Sequence, residues 1–153
     1  MHKVVISDTS CLIILHEIGE LDLLRKVYAT VSTTPEVAQE FMEILPDWIK
    51  IEKVKDKKYQ EFLETQVDFG EASAIALAKE MESPLLILDD LKARKLAAKL
   101  NLRYTGTLGV INKAKQIGAI EKVRPIIEKL LATDFRISGN IVAELLRKNN
   151  ELV

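Results

Sequence analysis

The stretch Val4–Ile13, VVISDTSCLI, sets an acid, Asp8, directly behind a run that stays apolar at successive positions. A short run without polar alternation reads as a strand buried on both faces, as in a parallel sheet covered by helices. The same pattern returns in PLLILDD, where a second buried run from Pro84 ends on Asp89 and Asp90. A carboxylate at such a place is costly to leave buried without a partner.

Between and after these runs the chain alternates. CLIILHEIG reads as a helix stopping near Gly19, ELDLLRKVY as a second short helix, and ATVS as a brief strand. TPEVAQEFMEIL starts a helix with Thr34 as N-cap and Pro35 in its first position, and Pro46 closes it. DWIKIEKVKDKKYQEFLETQ is weakly patterned and ends in a helix; DFGEASAIALAKEM is an Ala-rich helix; LKARKLAAKL follows the second buried run. LRYTGTLGVINKAKQIG is a short strand entering a helix, and two further helices close the chain, the second capped by Ser138. This predicts a three-layer α/β/α domain, a central parallel sheet with extra C-terminal helices, as one unit over residues 1–153.

In an open parallel sheet, sites form beyond the carboxyl ends of the strands, so Asp8, Asp89 and Asp90 are expected at one edge. Each of Asp8 and Asp90 also suits the N-cap of the helix behind it. One cap suffices per helix, which leaves one acid of the Asp89–Asp90 pair without that duty. Taking about 100° per residue, Val37, Phe41, Ile44 and Leu45 form an apolar stripe, with Glu36, Gln39 and Glu43 opposite and Glu40 at its border. Glu71 shares a face with Ala74, Ile75 and Ala78, yet Asp68-Phe-Gly-Glu71 also fits a capping box. Both readings of Glu71 stay open. Acids gathered in one crevice without an evident Lys or Arg repel each other, and oxygen-only donors favour Mg2+ or Mn2+ over zinc.

Composition bounds the function. Over 153 residues, 48% hydrophobic and 29% charged with net charge -1, the chain reads as an ordinary globular domain with no bulk attraction to nucleic acid. The single Cys11 permits no internal disulfide and reads as a buried thiol. Asp8 interrupts what would be a signal-peptide core, and no uncharged run is long enough for a membrane span, so a cytoplasmic location without membrane contact is expected. His2 and His16 lack metal-ligand spacing.

VVISDTSCLI, TPEVAQEF, GEASAIALA and LLILDD, in this order, resemble the PIN-domain ribonucleases, nearest to the VapC-like toxin branch, over roughly residues 3 to 118. The downstream GTLGVI and the terminal helices from about 119 to 153 look like one subgroup of PIN proteins predicted to bind nucleic acid. The resemblance implies Mg2+ or Mn2+ held by Asp8, Glu40, Glu71 and Asp89, with Asp90 as neighbour or substitute, and Ser10 as the hydroxyl supporting the first acid. It also implies RNA as substrate, a small antitoxin protein as partner, and a homodimer. The family's Thr-x-Asp at the later strand end is replaced here by ILDD, which leaves Asp89 and Asp90 undecided.

Lys92, Arg94 and Lys95 follow Asp90 closely enough to line the rim of the site. Thr105 and Thr107 flank Gly106; Thr107 is expected as an ordinary helix N-cap or as a hydroxyl added to the site. Lys53, Lys55, Lys57 and Lys58 beside Tyr59 form either a solvated face or a phosphate grip. The final helix carries a stripe of Ile141, Val142, Leu145 and Leu146 that closes the core or meets a second subunit. A metal-dependent ribonuclease is the leading reading. Its rivals are a non-catalytic PIN-like binding module and a haloacid-dehalogenase-type phosphatase, which would need a second acid at the position of Ser10.

Overall fold

The computed structural model describes residues 4–152. His2, and Lys3 at the start of the predicted first strand, lie outside them. Among the described residues the five strands are β1 (Val4–Ser7), β2 (Thr30–Thr33), β3 (Ile49–Ile51), β4 (Leu85–Ile87) and β5 (Arg103–Thr105), all parallel in the order β3-β2-β1-β4-β5. The helices are α1 (Thr9–Glu17), α2 (Leu23–Val27), α3 (Pro35–Phe41), α4 (Lys57–Leu63), α5 (Phe69–Lys79), α6 (Leu91–Lys99), α7 (Thr107–Gln116), α8 (Arg124–Leu131) and α9 (Gly139–Lys148). Among the described residues no helix is long and apolar enough to cross a membrane.

Alternate residues of the buried strands feed two cores. Val5 and Ile87 pack with Leu12, Leu15, Leu24, Ile111, Ile127 and Leu130 on one face, whereas Ile6, Leu86 and Leu88 pack with Leu63, Ile75 and Ala93 on the other. Full burial of each large aliphatic side chain stabilises the fold by roughly 1.5–3 kcal/mol, which is why β1 and β4 are aliphatic throughout except at Ser7, whose hydroxyl donates to the Asp8 carbonyl at 3.0 Å. The result is the predicted three layers, α/β/α. The helices past residue 118 are built in: Ile126, Ile127, Leu130 and Leu146 belong to the same core as Val5 and Leu12. From the stripe on α9, Leu146 is buried and Val142 and Leu145 lean on the core, while Ile141 stays 51% exposed.

Three local expectations change. Ile49–Ile51, in the weakly patterned stretch, is an edge strand paired to β2. Helix α3 stops at Phe41, because Met42 adopts the left-handed conformation that ends a helix (φ 63°). Ile44 therefore leaves the predicted apolar stripe and is 98% exposed. Glu36, expected on the outer face of that helix, is instead 8% exposed. Helix α4 covers it: the Gln60 amide donates to Glu36 Oε2 at 2.5 Å, and Lys57 pairs with the same oxygen at 3.2 Å. Lys57 is thereby removed from the lysine group that would form a phosphate grip.

Candidate active site

Strands β1 and β4 are direct neighbours, with Ser7 opposite Ile87. Pairing runs one residue further, since the Asp8 amide donates to the Ile87 carbonyl at 3.2 Å. Asp8 and Asp89 thus leave the sheet at the same carboxyl edge, as the two acid-terminated runs predicted.

Asp8 caps α1 from extended backbone, its Oδ1 accepting the Cys11 amide at 3.1 Å. It is 1% exposed, and among the described residues its Oδ2 has no hydrogen-bond partner. Burial, followed by the negative charge of Asp89, pushes its pKa from 3.8 up to about 8; the Cys11 amide opposes this and Glu71 adds to it. Ser10, expected behind Asp8, is exposed in the first turn of α1.

The Asp89–Asp90 pair divides its duties. Asp90 caps α6, accepting the Ala93 amide at 3.0 Å, and is exposed. Asp89, free of capping α6, turns toward the β5–α7 junction. Its Oδ1 accepts the Thr107 amide at 2.8 Å and its Oδ2 the Thr107 hydroxyl at 2.6 Å. The N-cap of α7 is Gly106, so Thr107 is not a cap; it orients Asp89. Thr107→Val keeps the shape and removes the hydroxyl, and a lost hydrogen bond to a charged group costs about 1.5–3 kcal/mol. We expect that loss in urea unfolding of the metal-free protein, with the slope unchanged.

Glu71 fulfils the capping box of α5: the Asp68 amide donates to its Oε1 at 3.2 Å. It also belongs to the acidic centre. Partial burial is the main cause that lifts its pKa to about 7; the Asp68 amide opposes, and the charges of Asp90, Asp68 and Glu40 raise it further. Glu40 is exposed and accepts the Thr9 hydroxyl at 2.5 Å, which ties α3 to the start of α1. Gly70 makes room for that bond. A Cβ there would collide with Glu40 Oε1 and stand 2.9 Å from Thr9 Oγ1.

The cations are closer than the sequence implied. Arg94 Nη2 lies 4.0 Å from Asp89 Oδ1, while its Nε donates to the Leu88 carbonyl at 2.7 Å and its guanidinium covers the Tyr104 ring at 5.5 Å. The expected absence of a Lys or Arg beside the acids is therefore corrected. Lys92 lines a cleft of about 290 Å3 together with Glu71, Asp90 and Glu64. Lys95 is exposed on α6. Thr9 and Gly70 were missed; the only signal was a second hydroxyl beside Asp8 and a glycine preceding Glu71.

Among the described residues no group of three or more Asp, Glu, His or Cys side chains closes on one point at metal-ligand spacing. In kind, the donors fit a hard divalent ion: they are anionic oxygens, the charges of Asp89 and Glu71 help to raise the pKa of Asp8 and those of Asp90 and Glu40 that of Glu71, and one oxygen of buried Asp8 is unsatisfied among the described residues. Asp8, Asp89, Glu71 and Glu40 are the residues that would hold it, with Asp90 beside them.

No curated protein and no solved structure matches the chain at a significant level. A family model described as a PIN domain matches residues 4–151, including the helices beyond residue 118. A match over nearly the whole chain, on a five-stranded parallel sheet with acids at its carboxyl edge, assigns this protein to the PIN-domain family.

Proposed function

We propose that this PIN domain is a ribonuclease that hydrolyses phosphodiesters of single-stranded RNA with Mg2+ or Mn2+. The observation that carries the proposal is Asp8: a buried carboxylate with one partnerless oxygen, next to a second carboxylate on the neighbouring strand. A divalent ion, when bound, supplies an activated water and neutralises charge on the phosphate. The chain's own part is positional. The sheet fixes Asp8 and Asp89, Thr107 aims Asp89, and Thr9 holds Glu40 against α1. Deprotonated acids are needed for a hard cation, so metal affinity should rise as pH climbs through about 7 to 8, where Glu71 and Asp8 lose their protons.

The finer form of the proposal is a toxin of a toxin–antitoxin pair: cytoplasmic, homodimeric and neutralised by a small antitoxin protein. The order of the VapC-like motifs supports it. A second reading, a PIN-fold module that binds RNA or protein without cleaving it, is favoured by one observation. Asp89 and Glu71 already have hydrogen-bond donors from Thr107 and Asp68 in the protein itself. A phosphatase of the haloacid-dehalogenase type is disfavoured by the family assignment and by Ser10, which stands where that chemistry needs a second acid.

One experiment separates the two main readings. With millimolar Mn2+ the melting temperature should rise as RT ln(1 + [L]/Kd) requires, by about 2.7 kcal/mol of stability at a hundredfold excess over Kd, and a single-stranded RNA should be cut. A flat melting curve with intact RNA selects the non-catalytic module.

A further inference from the structure

Beside Asp89, on the side away from Glu71, a cavity of about 550 Å3 opens between the β5–α7 junction and the segment joining α8 to α9. That volume lies within the roughly 300–1,000 Å3 of sites that hold small organic ligands. Its wall carries Arg94, Tyr104 and Gly106 from the sheet side and Phe135, Arg136 and Ile141 from the other. Burial alternates along the segment: Thr133, Phe135 and Ile137 are half-buried, whereas Asp134, Arg136 and Ser138 are exposed. Phe135 and Ile137 lean on the core, and the Phe135 amide is held by Thr133 Oγ1 at 3.1 Å, so Arg136 is presented from an anchored support.

The two flanks of the acidic centre differ in charge. The cleft on the Glu71 side is lined by Glu64, Asp68, Glu71 and Asp90 against Lys92 alone, and would repel a phosphate. The cavity on the other side offers two guanidinium groups and a single carboxylate, Asp89. Gly106 keeps it open. Its backbone is extended (φ -124°), so the glycine serves space: a Cβ would fall on the Arg94 guanidinium and lie 2.8 Å from Asp89 Oδ1. Tyr104 is 41% exposed and its ring is already a cation platform for Arg94. Aromatic faces paired with arginine are what a nucleotide requires, a π-surface for the base and planar donors for its phosphate.

We propose that this cavity is a nucleotide subsite, seating the residue of the RNA strand next to the phosphate presented to Asp8 and Asp89, with its base on Tyr104 and Phe135 and its phosphate between Arg94 and Arg136. That the subsite adjoins the phosphate to be cut rests on the ribonuclease reading; the binding itself does not depend on cleavage. It gives the α8–α9 segment a role in substrate binding and makes Arg136 and Tyr104 substrate-binding residues.

The test uses the whole chain in EDTA, titrated with uridine 5′-monophosphate while backbone amide resonances are followed. Shifts should concentrate at Tyr104, Gly106, Gly109 and Ile137. Arg136→Ala and Tyr104→Ala should each weaken binding about tenfold, and Tyr104→Phe, which keeps the ring, should restore it. Inorganic phosphate at the same concentration should give a small fraction of the effect. Absent or scattered shifts, phosphate reproducing the whole effect, or a Tyr104→Phe variant as weak as Tyr104→Ala would each overturn the subsite. Failure of the two readings is distinguishable. RNA cut in Mn2+ with no nucleotide in the cavity removes the subsite and keeps the nuclease, whereas a nucleotide in the cavity with uncut RNA does the reverse.

Discussion

Asp8→Asn lowers RNA cleavage at least about a hundredfold, since even outer partners of a metal site are commonly worth 10- to 100-fold, and it raises the melting temperature of the metal-free protein at pH 8. The two effects have one source. Asp8 is buried with a partnerless oxygen and a pKa pushed from 3.8 to about 8. Its folded-state pKa lies above the unfolded value, so its contribution to stability is complete below about pH 4 and is lost as pH rises through about 8. The wild-type metal-free protein should therefore lose stability across that window. Asparagine retains an oxygen for the Cys11 amide and adds an N–H that can donate toward the region of Asp89, with no charge to bury. Each kcal/mol so relieved is worth about 2–4 °C in a chain of this length. Differential scanning calorimetry from pH 5 to 8.5 in EDTA should show a flatter pH dependence for the variant. A variant as pH-sensitive as the wild type would mean that Asp8 is not the group strained by burial.

Glu71→Gln tests the other half of the centre. The glutamine carbonyl accepts the Asp68 amide as the carboxylate does, so the α5 cap and the far-ultraviolet circular dichroism should persist. Metal affinity and cleavage should both fall, by about tenfold or more, because an anionic ligand of a hard cation is replaced by a neutral amide. The proton that leaves Glu71 near pH 7 disappears from the profile, so the dependence of metal affinity on pH should become shallower below pH 7. Calorimetric titration with Mn2+ at pH 6 and 8 measures this. Wild-type cleavage by the variant would reduce Glu71 to a helix cap.

Much of this arrangement is legible in the chain because burial writes itself as composition. VVI and PLLIL have no polar interruption, so the two central strands, their direction and the acids at their ends follow from pattern. Edge features are less visible. Ile49–Ile51 is flanked by charges and half exposed, so β3 gave no such signal. The end of α3 turned on the backbone of Met42, a conformation that no side-chain periodicity reports. Asp89 and Asp90 are equivalent as a pair of letters; what distinguishes them is Thr107, which arrives from the next strand–helix junction. Arg136 is further still, brought to the cavity that Asp89 also lines by the packing of α8 and of Phe135 and Ile137 on the core. Contacts across long stretches of sequence were the part that required the structure.

The position of β1 in the middle of the sheet has a dynamic consequence. The amides of Ile6 and Asp8 lie between two paired neighbours, so their hydrogen exchange should proceed only through opening of the whole domain. Strand β5 has three residues, two of them exposed, and a free edge, and the first turn of α7 hangs from it. Exchange there should report a smaller, sub-global opening. The acidic centre is thus assembled from a slow half at Asp8 and a fast half at Asp89 and Thr107, and the half that breathes is the one that meets the cavity.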